Sequence, residues 1–176
     1  ENSCDWKEKK ELPIFLGYDT FGKPLTLDLA ESPNILASGS GYQGGGVLLK
    51  SMLNSLLTAK NPGELQIMTA DSELVEFSKY GNLDRSWFYG NGLITHDNPT
   101  GQLEHLCREM DERFSKLREA GCNNIVAYHR THGSLPYIVV IVNEYPNYIN
   151  YSYSTLNMAF INAVIRLAQR GKTVGI

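Results

Sequence analysis

The sequence has no stretch of about 18 apolar residues, so no membrane-spanning helix is expected. No leader pattern precedes Glu1, so no signal peptide is expected either. Neither sign of charge is in excess. Sixteen Lys and Arg stand against 19 Asp and Glu, a net charge of -3, which supplies no general pull toward nucleic acid or an anionic membrane. The three cysteines, Cys4, Cys107 and Cys122, are odd in number and lack C-x-x-C spacing, so they read as free thiols of a reducing compartment. Of the four histidines, His129 and His132 form an H-x-x-H pair, but no third ligand lies nearby and no metal centre is expected. There is no internal repeat and no low-complexity linker. Together these absences imply a cytoplasmic chain, free-standing or part of a membrane-anchored protein, with no membrane contact of its own.

What is present is an ordinary globular composition, 42% hydrophobic and 20% charged. At 176 residues it can bury one substantial core. Residues 1–11 form a charged lead-in, and residues 12–176 read as one domain. Leu12 to Gly17 is a short apolar strand. Turn chemistry at Thr20-Phe21-Gly22-Lys23-Pro24 joins it to the alternating Leu25 to Leu29, making a β-hairpin. After Pro33-Asn34, Ile35 to Ser38 reads as a short buried strand. A helical pattern from Val47 to Ala59 follows, ended by Asn61-Pro62-Gly63. Leu65 to Met68 is the next strand, which predicts a βαβ unit and a parallel sheet. A short helix is expected at Leu74 to Tyr80, an irregular aromatic stretch at Gly81 to Gly92, and a short strand at Leu93 to Thr95.

Asn98 is a good N-cap, with Pro99 at the first helical position. The spacing of Leu103, Leu106, Met110, Phe114 and Leu117 predicts a long helix that Gly121 stops. Tyr137 to Val142 is apolar without alternation, which predicts a strand covered on both faces at the centre of the sheet. Asn143 and Glu144 stand at its carboxyl end. A last helix is expected from Thr155 to Arg170, and Thr173 to Ile176 reads as the start of one more strand.

One stretch carries the chemistry. Gly39-Ser40-Gly41-Tyr42-Gln43-Gly44-Gly45-Gly46 joins the predicted strand at Ile35 to the helix at Val47. Gly39 and Gly44 occupy the glycine positions of G-x-x-x-x-G-K-[ST], but Gly45 replaces the lysine and Gly46 the hydroxyl residue. In open parallel sheets, ligands bind beyond the carboxyl ends of the strands. There the backbone amides of such a loop can wrap phosphate at a helix N-terminus. Glu144 is the candidate general base. Asn143 stands where a metal-supporting carboxylate is needed, and an asparagine there can hydrogen-bond a water but brings no charge. Lys50, one helical turn beyond Gly46, reads as a solvent-facing helix residue. A charged hydrogen bond to phosphate is worth about 1.5–3 kcal/mol, and the lack of three of them leaves little catalysis.

Further motifs extend the pattern. Leu12-Pro13-Ile14, Leu16-Gly17-Tyr18-Asp19, Gly22-Lys23-Pro24 and Asp28-Leu29-Ala30 resemble the entry hairpin of the FtsK/SpoIIIE motor family. Asp71-Ser72-Glu73 with Glu76 and Tyr80 resembles its D-P-K-x-x-E-L-x-x-Y, with the proline and lysine replaced. Glu109-Met110-Asp111-Glu112-Arg113-Phe114 is similar to E-M-x-R-R-Y, and Asn124-Ile125-Val126-Ala127-Tyr128-His129 to N-I-x-x-Y-N. Pro136 to Tyr145 resembles P-Y-I-V-V with two hydrophobic residues and D-E-F. The resemblance runs in collinear order from Leu12 to Ile176. It implies a RecA-like P-loop NTPase three-layer sandwich with a mostly parallel sheet, truncated at its C-terminal strands.

The resemblance further implies ATP and Mg²⁺ as cofactors, and double-stranded DNA or a secreted or transferred protein as partner. It also implies a ring or tandem-domain assembly. By the same analogy, the nucleotide-binding positions are Gly39 to Gly46 with Asn143, and the catalytic one is Glu144. The replaced residues divide the reading in two. One is a DNA translocase motor domain with an impaired nucleotide site. The other is a non-hydrolysing pseudo-ATPase module that binds a protein partner, as in type VII secretion or conjugation. Arg166, Arg170 and Lys172 are the nearest thing to a basic cluster, and they also read as an ordinary cationic helix C-terminus.

Overall fold

A computed structural model of the chain describes residues 10–39, 44–71, 75–94, 99–149 and 155–176. The first element is the expected hairpin. Strand β1 (Pro13–Tyr18) pairs antiparallel with β2 (Pro24–Asp28), and the register shifts between Phe15 and Gly17, so Leu16 bulges. Two carboxylates of the hairpin motif shape it. Asp19 Oδ1 accepts from the backbone N–H groups of Phe21 and Lys23, both at 2.9 Å, and Gly22 turns the chain at φ +76, where a side chain would be strained. At the base, Asp28 Oδ1 accepts from Leu12 and Ala30 at 2.9 Å, and Oδ2 accepts from Glu11 at 2.7 Å.

Helix α1 (Gly45–Ala59) buries Met52, Leu53 and Leu56. Ser55 joins it to β1: its hydroxyl accepts from Phe15 N–H at 3.1 Å and donates to the Ser51 carbonyl at 2.8 Å. The strand expected at Ile35 to Ser38 is not formed. Residues 33–39 are irregular, and Leu36 is 88% exposed. A strand persists only where neighbours take up its N–H and C=O groups, and no described strand pairs with this one. The βαβ unit predicted from it is therefore not built.

The chain divides into two compact units, Glu1–Asn61 and Pro62–Ile176, and the single 12–176 core read from the sequence is described here unit by unit. In the second unit, β3 (Leu65–Ala70) lies between β4 (Phe88–Ile94) and β5 (Tyr137–Val142), parallel to both. Among the described strands the central one is β3, whereas the unbroken apolar run had pointed to β5. β5 is largely buried and its backbone is bonded on each edge: β3 lies on one side, and on the other the Gly175 carbonyl accepts from Ile138 N–H at 2.8 Å. Strand β4 begins at Phe88, five residues before the strand expected at Leu93, and its register jumps from Ile67–Phe88 to Thr69–Leu93. Gly90 and Gly92, in the stretch expected to be irregular, lie within this bulge.

Helices α2 (Pro99–Glu119) and α5 (Thr155–Arg170) match their predicted spans. They close one face of the sheet. Met68, Ala70 and Ile138 share a buried core with Leu103, Leu106, Phe160 and Ala163. Asn98, the expected cap, lies outside the described residues. Helix α3 (Ile125–His132) was not anticipated beyond its motif, because β-branched residues open it. Asn124 caps it, its Oδ1 accepting from Ala127 N–H at 2.8 Å. A short helix α4 (Pro146–Ile149) follows β5. The helix expected at Leu74 to Tyr80 is a 3₁₀ turn at Ser78–Asn82, with Leu74 outside the described residues. The strand start expected at Thr173 is a 3₁₀ turn at Gly171–Val174.

Candidate functional site

The carboxyl ends of β3 and β5 meet at two polar side chains. The parallel register runs to Ala70 opposite Val142, and Asn143 N–H donates to the Ala70 carbonyl at 2.8 Å. The next residues on the two strands are Asp71 and Asn143, and paired positions in a ladder share a face. Asp71 is only 1% exposed, so its carboxylate must be supplied with donors from the protein. Oδ2 accepts from the backbone N–H groups of Glu76 at 2.7 Å and Phe77 at 3.3 Å. Oδ1 faces the Asn143 side-chain amide at 3.4 Å; a carboxylate only accepts, so the amide nitrogen is the donor. Tyr148 of α4 feels the same charge. Its phenol is pushed up to about 12, first by burial and then by the negative charge of Asp71.

Glu144 follows at φ +50, the one non-glycine at positive φ among the described residues. Such a conformation costs about 1–3 kcal/mol and concentrates at functional positions. The side chain is exposed but held: Asn147 Nδ2 donates to Glu144 Oε2 at 2.7 Å, and Asn147 N–H donates to the Glu144 carbonyl at 2.8 Å.

The glycine stretch belongs to the first unit. Gly39 is exposed and irregular, while Ser40, Gly41, Tyr42 and Gln43 lie outside the described residues. Gly44 is the N-cap of α1 at φ 94, ψ 10, a left-handed conformation that suits glycine. Its carbonyl accepts from Leu48 N–H at 2.9 Å. No side chain caps the helix, and no acidic residue stands in its first turn. Lys50 is half-buried. With Phe15, Tyr18, Val47 and Asn54 it lines a groove between the hairpin and α1, on the side of the helix, where the sequence had read it as solvent-facing.

The structure therefore brings Asn143 and Glu144 together and adds Asp71 and Asn147, which the sequence reading left out of the site. A carboxylate immediately after an apolar strand was the available signal for Asp71, but the β3–β5 register was needed to pair it with Asn143. Arg166 and Arg170 of the basic cluster are engaged within the chain. Arg166 pairs with Asp111, and the Arg170 guanidinium sits 4.7 Å over the Phe114 ring. His129 Nε2 contacts the Leu135 carbonyl at 2.7 Å, and His132 stacks on Tyr128. Cys107 and Cys122 are free thiols, and Cys4 lies outside the described residues.

A parallel α/β sheet with its polar residues at the strand carboxyl ends, and a glycine turn opening a helix, define a domain of the P-loop ATPase kind. The family model described as FtsK/SpoIIIE family matches residues 1–142, and the chain belongs to that family. It is 28% identical over 173 residues to the DNA translocase FtsK of Treponema pallidum (strain Nichols), covering 94% of this chain and 21% of that protein. It is likewise 28% identical over 178 residues to the DNA translocase FtsK of Staphylococcus aureus (strain COL), covering 94% of this chain and 22% of that one. The chain thus spans about a fifth of these relatives.

Among solved structures, the pCW3 conjugation coupling protein TcpA, in its monomer form with ATPγS, aligns with a TM-score of 0.76 at 22% identity. That alignment covers 99% of this chain and 49% of TcpA. The cytoplasmic domain of EssC aligns at 0.77 and 20% identity, over 93% of this chain and 32% of that one. These likenesses establish the fold. Among the described residues no helix is long and apolar enough to cross a membrane.

The family implies ATP and Mg²⁺, and the residues suit the two unequally. The uncapped amides at the start of α1, behind a glycine N-cap, suit phosphate oxygens. The donor set does not suit the metal. Mg²⁺ is held by carboxylates and other oxygens in near-ideal octahedral geometry. In the first unit Gly46 has no hydroxyl to offer, and in the second unit, taken by itself, Asn143 turns N–H groups toward the Asp71 carboxylate.

Proposed function

We propose that this chain serves a DNA-translocating assembly as a motor-family domain with an impaired nucleotide site, in a ring or tandem arrangement on the cytoplasmic side. In this reading the backbone amides of Gly39, Ser40, Gly41, Tyr42, Gln43, Gly44, Gly45 and Gly46 cradle phosphate. Glu144 is the base that polarises water, and Asn143 hydrogen-bonds it. The observation that supports the reading is the Asp71–Asn143 pair: an amide donor stands at the strand-end position that, by family analogy, a metal-supporting carboxylate would fill. Without the lysine, the hydroxyl and that carboxylate, phosphate binding rests on neutral amides worth about 0.5–1.5 kcal/mol each.

The test is calorimetric titration of ATP with Mg²⁺, together with phosphate release with and without double-stranded DNA. Weak ATP binding with no turnover, and retention of the full-length protein on DNA, are expected. Brisk DNA-stimulated phosphate release would refute the impaired site, and failure of the full-length protein to engage DNA would refute the DNA-translocating role.

One observation favours a second reading, a non-hydrolysing module that binds a protein partner such as a secreted or transferred protein or a neighbouring motor subunit. Tyr18 (65% exposed), Phe21 (94%) and Val47 (68%) leave the hairpin and the start of α1 with an exposed apolar surface, the kind that marks protein contacts. If this reading holds, Phe21→Asp abolishes co-purification with the partner and leaves ATP affinity unchanged. Unchanged co-purification sinks it.

A further inference from the structure

The carboxyl end of the β3–β5 ladder is built as a closed polar latch. Asp71 is almost fully buried, and three donors from two segments converge on it: the adjacent amides of Glu76 and Phe77, and the side chain of Asn143. Its other polar neighbours are the Tyr148 phenol of α4 and, next to Asn143 in the chain, the Glu144 carboxylate. We propose that Asn143 is a positioning residue whose amide supplies Asp71 with the positive partner that a divalent cation would otherwise bring, so that this strand end is stable without metal and does not bind one. The geometry carries it. With Asp71 Oδ2 committed to two backbone amides, Oδ1 is left facing position 143 at 3.4 Å. An amide there completes the shell of acceptors and donors. A carboxylate at that separation would set two negative oxygens against each other with little water between them, a pair that holds only by sharing a proton or a cation. Melting in the absence of nucleotide reads these bonds alone, whatever ATP does at the glycine turn.

The test is thermal unfolding of the full chain in EDTA and in millimolar MgCl₂, with calorimetric titration of Mn²⁺ as a second readout. The wild type is expected to melt at the same temperature in both buffers and to take up no Mn²⁺ at this end. Asn143→Ala should melt lower in both buffers alike, because it loses the donor without adding charge. Asn143→Asp should melt lower than Asn143→Ala in EDTA and recover in Mg²⁺. Should Asn143→Asp fold poorly, the swap Asp71→Asn with Asn143→Asp decides. There the amide oxygen introduced on β3 can accept from Glu76 and Phe77 while its nitrogen donates to the carboxylate introduced on β5. The swap should therefore recover most of the melting temperature in EDTA and show no Mg²⁺ response. A wild type stabilised by Mg²⁺ as strongly as Asn143→Asp overturns the proposal, and so does a swap no more stable than Asn143→Asp alone.

Discussion

Arg113 is a buried charge that ties together elements of the second unit. It is 2% exposed; its Nε donates to Glu109 Oε1 at 2.8 Å, and one terminal nitrogen donates to the Val174 carbonyl at 3.0 Å. The first bond lies within α2, and the second ties α2 to the turn after α5. The neighbouring Gly175 carbonyl accepts from Ile138, so Arg113 indirectly sets the outer edge of β5. Arg113→Ala breaks a buried ion pair, which costs about 3–5 kcal/mol, the lower end applying here because the Glu109 side chain is 20% exposed and can be partly hydrated. It also strands the carbonyl of Val174, a residue with no exposed surface, for about 1–3 kcal/mol.

These terms overlap, and a net loss of about 4 kcal/mol is expected. At about 2–4 °C per kcal/mol for a chain of this size, that is a fall of about 8–16 °C in melting temperature. Circular dichroism measures the melt, and hydrogen exchange at the Ile138 amide reports the edge of β5, where protection should drop first. Glu109→Gln keeps an acceptor and should cost about 1 kcal/mol. An Arg113→Ala variant that melts within about 2 °C of the wild type, with Ile138 still protected, would show that the pair holds nothing together.

Gly45→Lys with Gly46→Thr should tighten ATP binding at least about tenfold, since each charged hydrogen bond restored is worth about 1.5–3 kcal/mol; unchanged calorimetry would mean that the loop is not shaped as a phosphate cradle. Gly44→Ala should destabilise by about 1–2 kcal/mol through the left-handed backbone alone, because a methyl group there meets nothing within 4 Å; a melt equal to the wild type would remove the conformational role of Gly44. Tyr89 and Tyr148 are both pushed up to about 12, chiefly by burial. A phenol raised in the folded state stabilises fully below its ordinary value near 10 and loses that contribution as pH climbs toward 12, so tyrosinate absorbance should show two late-titrating tyrosines whose ionisation coincides with alkaline unfolding. Early titration of all ten tyrosines would contradict that burial.

Much of the fold is local, and local features are legible in sequence. The turn of the hairpin is written in Asp19 and Gly22, which act within a few residues, while Asp28 closes its base by reaching both Ala30 and the distant Glu11 and Leu12 amides. Helices α2 and α5 announce themselves by apolar spacing because one side of each faces the core. Asn124 could have been read as a cap, but the β-branched residues after it hid the short helix α3. The three-residue apolar run at Ile35 shows the converse. Its pattern is that of a buried strand, yet a strand exists only if a neighbour receives its hydrogen bonds, and that information is not local.

The candidate site divides along the same line. The sequence by itself determined the family, the glycine turn before a helix, and the absence of the lysine, the hydroxyl and the strand-end carboxylate, since these are identities at fixed spacing. Only the tertiary structure decided that β3 is the central one of the described strands and that Asp71, 72 residues away in sequence, is the partner of Asn143. It also decided that Glu144 is held at positive φ by Asn147. The reason is register: which side chains meet at the end of a parallel sheet depends on how two distant strands align, and hydrogen bonds across the sheet set that alignment.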